Sequence, residues 1–203
     1  TNLFMNDIIK TNHSMLRQVQ EIIDMRLGEM ENIAFQISSN PNLAPYMLRR
    51  SAYREMQGMN ELKNYISSSS FISDLLLYIR GEDMIYSPFS TYSVSRLMTT
   101  KYQYLNWSTE EMLETLNTLS SPQIRPKEAV RVYVDNKSGS EYGMISFLVP
   151  IPVFSNYSYG TLLFQVREST LAELIQNVLK QYQGSSLILD RDGREIASLQ
   201  RNE

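Results

Sequence analysis

Residues Glu141–Glu168 read EYGMISFLVPIPVFSNYSYGTLLFQVRE and contain two apolar runs, Met144–Val149 and Thr161–Val166. Both runs are rich in β-forming residues, and a polar, aromatic connection ending in glycine separates them. This pattern predicts two neighbouring antiparallel strands. Because proline cannot donate to a sheet ladder, Pro150 and Pro152 predict that the first strand loosens there or lies at an edge. We expect this hairpin to form the middle of an antiparallel sheet on which the rest of the chain packs.

Composition narrows the classes of function. The chain has 203 residues, of which 42% are hydrophobic, so it suits one large or two small folded domains. It has no cysteine and one histidine, which excludes zinc fingers, thiol catalysis and histidine-clustered metal sites. No hydrolase, phosphate-loop or dinucleotide motif is present. The net charge of -3 argues against a basic nucleic-acid surface. We expect a non-enzymatic domain without catalytic residues, cofactor, metal or bound nucleic acid.

A long helix is predicted from about Met5 to Ser38, where proline is absent. A helix of this length extends beyond a small sheet, so its first part is expected to contact a second copy of the chain or a membrane-anchored continuation. His13 lies in that part and is predicted to face solvent or a dimer interface. The apolar stripe predicted for dimerisation recurs every seven residues, at Leu16, Ile23, Met30 and Ile37.

Further elements follow from local patterns. A second helical region, a strand hairpin and a short helix come before the capping box at Ser108–Glu111, which predicts a helix to about Leu119. A second capping box, at Thr170–Glu173, predicts the start of another helix. The predicted elements are helices over Leu43–Ser67 and Val94–Thr100 and strands over Leu75–Ile79, Met84–Ser87 and Val130–Val134, with loops on both sides of the short helix.

The end of the chain repeats an earlier pattern. Residues Ser186–Ser198, SLILDRDGREIAS, align without a gap on Leu75–Ser87, LLLYIRGEDMIYS, which start 111 residues earlier. In both, an apolar strand leads to an arginine, a turn with glycine, an isoleucine and a final serine. We interpret this as a duplicated domain whose second copy is cut after its first hairpin.

In this order of elements, the chain resembles the extracytoplasmic double Cache (PAS-like) sensor region of bacterial receptors. More narrowly, it resembles the sensor region of membrane-bound AraC-family transcriptional regulators and their partner histidine kinases in Gram-positive bacteria. The resemblance implies an α+β fold, with the long helix packed on a five- or six-stranded antiparallel sheet. It divides the chain into the helix at residues 1–40, a membrane-distal domain at 41–183 and the first hairpin of a membrane-proximal domain at 184–203.

The resemblance also implies where the protein acts. The chain begins at Thr1 and its longest apolar run, Ile145–Phe154, is too short to cross a bilayer. The resemblance implies flanking transmembrane helices outside this segment, the domain at the extracytoplasmic face, and a DNA-binding or kinase output on the other side.

A Cache pocket would lie between the sheet and the loops of roughly Ser87–Trp107 and Val130–Tyr142. Aromatic walls with a few charged groups suit a small polar ligand, because sugars stack on rings and carboxylates pair with arginine. The candidate ligand-binding residues are Tyr86, Tyr92, Arg96, Tyr104, Trp107, Arg131, Tyr133 and Tyr142.

The class of ligand stays open at this point. Cache domains that sense amino acids carry a Tyr…Arg-x-Trp-Tyr arrangement, whereas Trp107 here follows Leu105-Asn106 and precedes Ser108. This difference favours a sugar or an organic acid over an amino acid. The main hypothesis is an AraC-type sensor. The alternatives are the sensor of a histidine kinase or chemoreceptor, or a ligand-free structural, protein-interaction and dimerisation domain.

Overall fold

The computed structural model describes the backbone of residues 2–134, 139–179, 186–189 and 195–199, and the side chains of 13–134 and 139–178. The helices are α1 (Asn2–Ser39), α2 (Pro45–Leu48), α3 (Ala52–Ser67), α4 (Val94–Thr100), α5 (Thr109–Thr118) and α6 (Glu168–Leu179). The strands are β1 (Asp74–Ile79), β2 (Met84–Tyr86), β3 (Thr91–Tyr92), β4 (Tyr102–Tyr104), β5 (Gln123–Val132), β6 (Ser140–Ile151), β7 (Gly160–Arg167), β8 (Ser186–Leu189) and β9 (Glu195–Leu199).

Strands β1 to β7 form one antiparallel sheet in the order β3-β2-β1-β7-β6-β5-β4. The hairpin of β6 and β7 lies inside the sheet, as the apolar runs predict. Pro150 interrupts no ladder on the β5 side, because Leu148 is the last residue of β6 that pairs with β5. The strand is therefore locally an edge at Pro150, and it ends at Ile151, before Pro152.

One face of the sheet, which we call the first face, carries the long helix. Residues Met30, Ala34 and Ile37 of α1 are buried in a core that also contains Leu75, Phe164 and other first-face residues. From Ile23 onward, the predicted dimer stripe packs into this core instead of facing a second copy. Leu16 remains 66% exposed and His13 is exposed, so any dimer contact of the stripe is left to its N-terminal end.

The opposite face, the second face, is covered by α4 and α5, and Tyr102 and Tyr104 of the edge strand β4 belong to its core. Its core includes Leu76, Leu163 and Leu148 from the central strands, and Leu97 and Leu116 from the covering helices. The capping box at Ser108 and Glu111 is formed, so α5 starts immediately after Trp107, as predicted. Each face of the sheet therefore has its own apolar core.

Several sequence predictions need correction. The sheet has seven strands because β3 and β4 are short edge strands in the stretch predicted as loops around a short helix. The prediction that a capping box at Thr170 starts a helix is wrong. Helix α6 begins at Glu168, directly after β7, so Thr170 lies inside the helix. The fold class itself, α+β with a long helix on an antiparallel sheet, is confirmed.

The end of the chain forms a separate two-stranded antiparallel hairpin of β8 and β9. Strand β9 lies against β5 and α6. The turn that would complete the match to Leu75–Ser87 lies outside the described residues. The duplication and the domain boundaries stay predictions.

Replacement of glycine by alanine is expected to have opposite effects on stability at two positions. A Cβ at Gly160 would lie 2.8 Å from the backbone oxygen of Tyr78, so Gly160→Ala should destabilise the protein by about 1–3 kcal/mol. A Cβ at Gly28 in α1 would meet nothing within 4 Å, so Gly28→Ala should stabilise it by about 0.5–1 kcal/mol. Urea unfolding of both variants checks this, and equal signs would contradict the described packing.

Candidate functional site

A row of polar side chains crosses the centre of the sheet on the second face. Asp74 of β1 pairs with Gln165 of β7, Gln165 pairs with Ser146 of β6, and Ser146 pairs with Arg125 of β5. Directly opposed residues of neighbouring strands share a face, so these four side chains lie side by side. We call them the polar row. Asp74, Ser146 and Gln165 are buried.

At the β1 end of the row, the Asp74 carboxylate is surrounded by donors. Its Oδ2 accepts a hydrogen bond from the Tyr102 hydroxyl at 2.6 Å and an ion pair from Lys101 Nζ at 2.6 Å. Its Oδ1 accepts the backbone N–H of Leu75 at 2.9 Å. A carboxylate buried at this depth needs such partners, because burial of an unpaired charge is strongly unfavourable.

In the middle of the row, Gln165 links three strands. Its Nε2 donates to the Tyr104 hydroxyl at 2.6 Å, and its Oε1 accepts from Ser146 Oγ at 3.2 Å. Tyr104 lies on the edge strand β4 and its ring contacts Trp107 edge-on, with 5.3 Å between ring centroids. Tyr104 is therefore hydrogen-bonded to the polar row rather than only packed on it.

At the β5 end, Arg125 and Glu128 form an ion pair under Trp107. Arg125 Nη2 lies 3.0 Å from Glu128 Oε1, and the guanidinium carbon is 4.0 Å from the Trp107 ring centroid. The other carboxylate oxygen of Glu128, Oε2, is buried without a hydrogen-bond partner among the described residues. This oxygen can accept a hydrogen bond from a donor that enters the site.

Burial keeps both tyrosine hydroxyls protonated. It raises the pKa of Tyr102 well above its ordinary value, and the negative charge of Asp74 raises it further. Burial likewise raises the pKa of Tyr104. Tyr102 therefore remains a donor to Asp74 across the physiological pH range. The set of neutral hydroxyls, an amide, an ammonium and a guanidinium is suited to binding polar groups.

The structure brings together part of the predicted site. Tyr104 and Trp107 lie in the second-face core, and Tyr92 and Tyr142 pack against its margin. The Arg167 guanidinium lies over the Tyr142 ring, with its carbon 4.1 Å from the ring centroid.

The other four predicted residues lie elsewhere. Tyr86 is buried in the core of the first face, and Arg96 is exposed on α4. Arg131 is exposed on β5, opposite Gln103 and Glu141. Tyr133 follows the end of β5 and its hydroxyl donates to Gln103 Oε1 at 2.8 Å.

Sequence reasoning missed the polar row itself, although part of its signal was present. Ser146 and Gln165 are single polar residues inside the two apolar runs, where a strand buried on both faces would otherwise be apolar throughout. Recognising that they pair requires the register of the hairpin, which its long connection leaves undetermined. Asp74 and Lys101 had no comparable signal, because each lies at the end of an element.

An open cleft of about 490 Å³ lies apart from the row, near the start of α6. Its lining includes Tyr142, Gly143, Ser169 and the ion pair of Lys127 Nζ with Glu168 Oε1 at 2.9 Å. No group of three or more acidic or histidine side chains that could hold a metal occurs within the part of the chain described. None of the described helices combines the length and apolarity needed to cross a bilayer.

No protein-family model and no curated protein matches the chain. Solved structures do. The sensory domain of the Campylobacter jejuni chemoreceptor Tlp3 with isoleucine bound is similar with a TM-score of 0.52 and 14% identity, over 91% of this chain and 68% of that one. The extracellular domain of vpHK1S-Z8, a protein described as a histidine kinase, gives 0.59 and 12% over 90% and 65%. A Vibrio parahaemolyticus domain described as from a sensory box/GGDEF family protein gives 0.58 and 12% over 90% and 68%.

These similarities confirm the predicted fold, which the chain shares with the matched domains. The chain spans about two thirds of the length of the domains that it matches. The three matched domains come from a chemoreceptor, from a protein described as a histidine kinase and from one described as a sensory box/GGDEF protein, and the AraC-family context stays a prediction.

Proposed function

We propose that this chain is the ligand-sensing part of a bacterial transmembrane receptor and acts at the extracytoplasmic face. The observation that carries the proposal is the polar row under Tyr104 and Trp107 at the centre of the second face. The matched chemoreceptor and histidine-kinase domains support these two receptor types over the AraC-type regulator as the source of the chain. The domain would bind its ligand without chemical turnover.

The polar row suits ligand recognition for a physical reason. A purely structural sheet gains most by filling its centre with apolar side chains, because each buried polar group must be fully hydrogen-bonded. Here Asp74 and Gln165 take partners from the short segment around β4, which supplies Lys101, Tyr102 and Tyr104. A ligand that offers equivalent donors and acceptors could replace these partners and shift the position of the segment.

Binding there could reach the long helix through the sheet. The strands that carry Asp74, Gln165 and Ser146 present Leu75, Phe164 and Ile145 to the first-face core, into which α1 packs. A ligand that favours one of two arrangements of these strands would shift their populations and so the position of α1. We propose this as the route of the signal.

For the class of ligand, we retain small polar molecules. Sugars and organic acids remain predictions from the aromatic and basic composition. Amino acids belong in the same test for two reasons. Tlp3 was solved with isoleucine. In this chain Arg125 places a guanidinium beside Trp107, although the residues next to Trp107 in sequence include no arginine. A ligand carboxylate would have to compete there with Glu128.

A ligand-free structural or interaction domain is the second candidate. The observation that favours it is the internal satisfaction of Asp74, Gln165 and Ser146, together with the burial of Tyr104 and Trp107. Under this reading, the polar row only fixes the register of the central strands.

A thermal-shift screen with sugars, organic acids, amino acids and polyamines separates the two candidates. A ligand at about 100 times its Kd should stabilise the protein by roughly 2.7 kcal/mol, which raises Tm by several degrees. We expect one chemical class to raise Tm, and Gln165→Leu to abolish the effect. Gln36→Leu, on the exposed side of α1, is the control that should keep it. A rise in Tm that persists in Gln165→Leu would show that the ligand binds outside the polar row. If no class of compound raises Tm, the ligand-free domain is favoured.

A further inference from the structure

The ammonium of Lys101 lies in an unusual environment for a lysine. Its Nζ is 2.6 Å from Asp74 Oδ2, 5.2 Å from the ring centroid of Tyr102 and 5.6 Å from that of Tyr92. The Lys101 side chain is only 15% exposed and that of Asp74 only 5%. One carboxylate and two aromatic rings thus surround a single cationic group. We call Asp74, Tyr92 and Tyr102 the cage.

The chemistry of the cage matches an ammonium group. Aromatic faces within about 6 Å attract organic cations, and a buried carboxylate adds a charge-assisted hydrogen bond. A calcium ion would need six to eight oxygen ligands, which the cage does not supply. The hydroxyl of Tyr102 already donates to Asp74, so the remaining capacity of Oδ2 is for a second donor such as –NH₃⁺.

The side chain of Lys101 can leave the cage without breaking the backbone contacts of its residue. Lys101 follows α4, and its backbone N–H donates to the Leu97 carbonyl at 3.0 Å. Its own carbonyl accepts the N–H of Tyr133 at 2.9 Å. Tyr92 is only partly buried, so the cage borders solvent on that side.

We propose that the cage is a binding site for an ammonium group and that Lys101 occupies it as a built-in ligand. The signalling consequence rests on the proposed function: a primary alkylammonium compound, competing with Lys101, would release the junction of α4 and β4. The described arrangement is then the self-occupied state. Because Lys101 is tethered, an external amine must bind strongly enough to displace it.

Chemical rescue tests the cage. Lys101→Ala removes three carbons and the ammonium, which n-propylammonium replaces atom for atom. In this variant, propylammonium chloride above its Kd should raise Tm with the logarithm of its concentration, by about 3–6 °C for each tenfold increase. Sodium chloride at equal ionic strength and neutral 1-propanol should have no such effect. The wild type should respond much more weakly, because Lys101 fills the site.

Two variants control for non-specific binding. Lys63→Ala removes an exposed lysine whose ammonium lies 5.4 Å from the Phe89 ring centroid, with no carboxylate in the same contact, and should show no rescue. Lys101→Ala combined with Asp74→Asn should lose the rescue. Rescue that persists without Asp74, or a folded Lys101→Ala protein that ignores propylammonium, overturns the proposal.

A second measurement on the wild type covers the case in which Lys101→Ala fails to fold. Nitrogen-15 NMR should detect one lysine ammonium with slow proton exchange, and Asp74→Asn should remove its signal. Absence of a protected ammonium in the wild type overturns the proposal. The result can be distinguished from that of the ligand screen. If propylammonium rescues Lys101→Ala but no ligand class raises Tm, the cage binds ammonium groups without a sensor role. If a ligand class raises Tm but propylammonium does not rescue, the protein is a sensor whose site lies outside the cage.

Discussion

Replacement of Phe164 by alanine is expected to lower the free energy of unfolding by about 3–5 kcal/mol. Phe164 is 0% exposed and lies on the central strand β7, between Leu75 of β1 and Phe147 of β6. Its ring belongs to the first-face core under α1. Truncation removes the transfer free energy of the ring and leaves a cavity that strands held on both sides cannot close. Urea or guanidinium denaturation of the variant measures the loss.

The same hairpin provides the matched control. Phe154 precedes Phe164 by ten residues and is 96% exposed, so Phe154→Ala should change stability by no more than about 0.5 kcal/mol. The two variants delete the same atoms. Similar losses for both would contradict the description of β7 as the centre of the sheet and of the connection as solvent-exposed.

The central hairpin could be predicted from sequence because both of its strands are buried on two faces. Such strands read as continuous apolar runs, and Met144–Val149 and Thr161–Val166 are runs of this kind. The edge strands carry no such signal. Thr91–Tyr92 and Tyr102–Tyr104 are two and three residues long, and they are strands only because β2 and β5 offer them free edges.

The capping-box prediction at Thr170 failed because the pattern depends only on residues close in sequence, whereas the start of α6 depends on where β7 ends. Helix α6 follows β7 without an intervening loop, so its first residue is Glu168. A cap at Thr170 would leave residues 168–169 outside both elements. At Ser108, where a non-helical residue does precede the helix, the same pattern was correct.

The candidate site was predictable in its aromatic half only. Tyr104 and Trp107 were identified from the composition of one loop region, and they do lie together. Tyr86 lies apart from them because its face depends on the register of β1 with β2, which sets it opposite Leu77 on the first face. Asp74 and Lys101 meet across 27 residues of chain, and their contact depends on β4 closing the sheet edge next to β5.

Asp74→Ala is the second substitution with a large expected effect, again about 3–5 kcal/mol of lost stability. The variant leaves the ammonium of Lys101 in a largely buried site without its carboxylate and removes the acceptor of the Tyr102 hydroxyl. Removal of one partner from a buried ion pair is costly because the other charge stays desolvated. An exposed pair offers the contrast: Arg49 Nη1 and Glu82 Oε1 are 2.7 Å apart at the surface, so Arg49→Ala should cost at most about 1 kcal/mol.

A double-mutant cycle makes this prediction specific to the ion pair. Asp74→Ala combined with Lys101→Met replaces both charges by apolar groups, so its loss should be smaller than the sum of the two single losses and smaller than that of Asp74→Ala alone. Chemical denaturation of the four proteins under the same conditions gives the coupling. If the losses simply added, Lys101 would not depend on Asp74 for its position, and the carboxylate would instead act through Tyr102 and the backbone of Leu75.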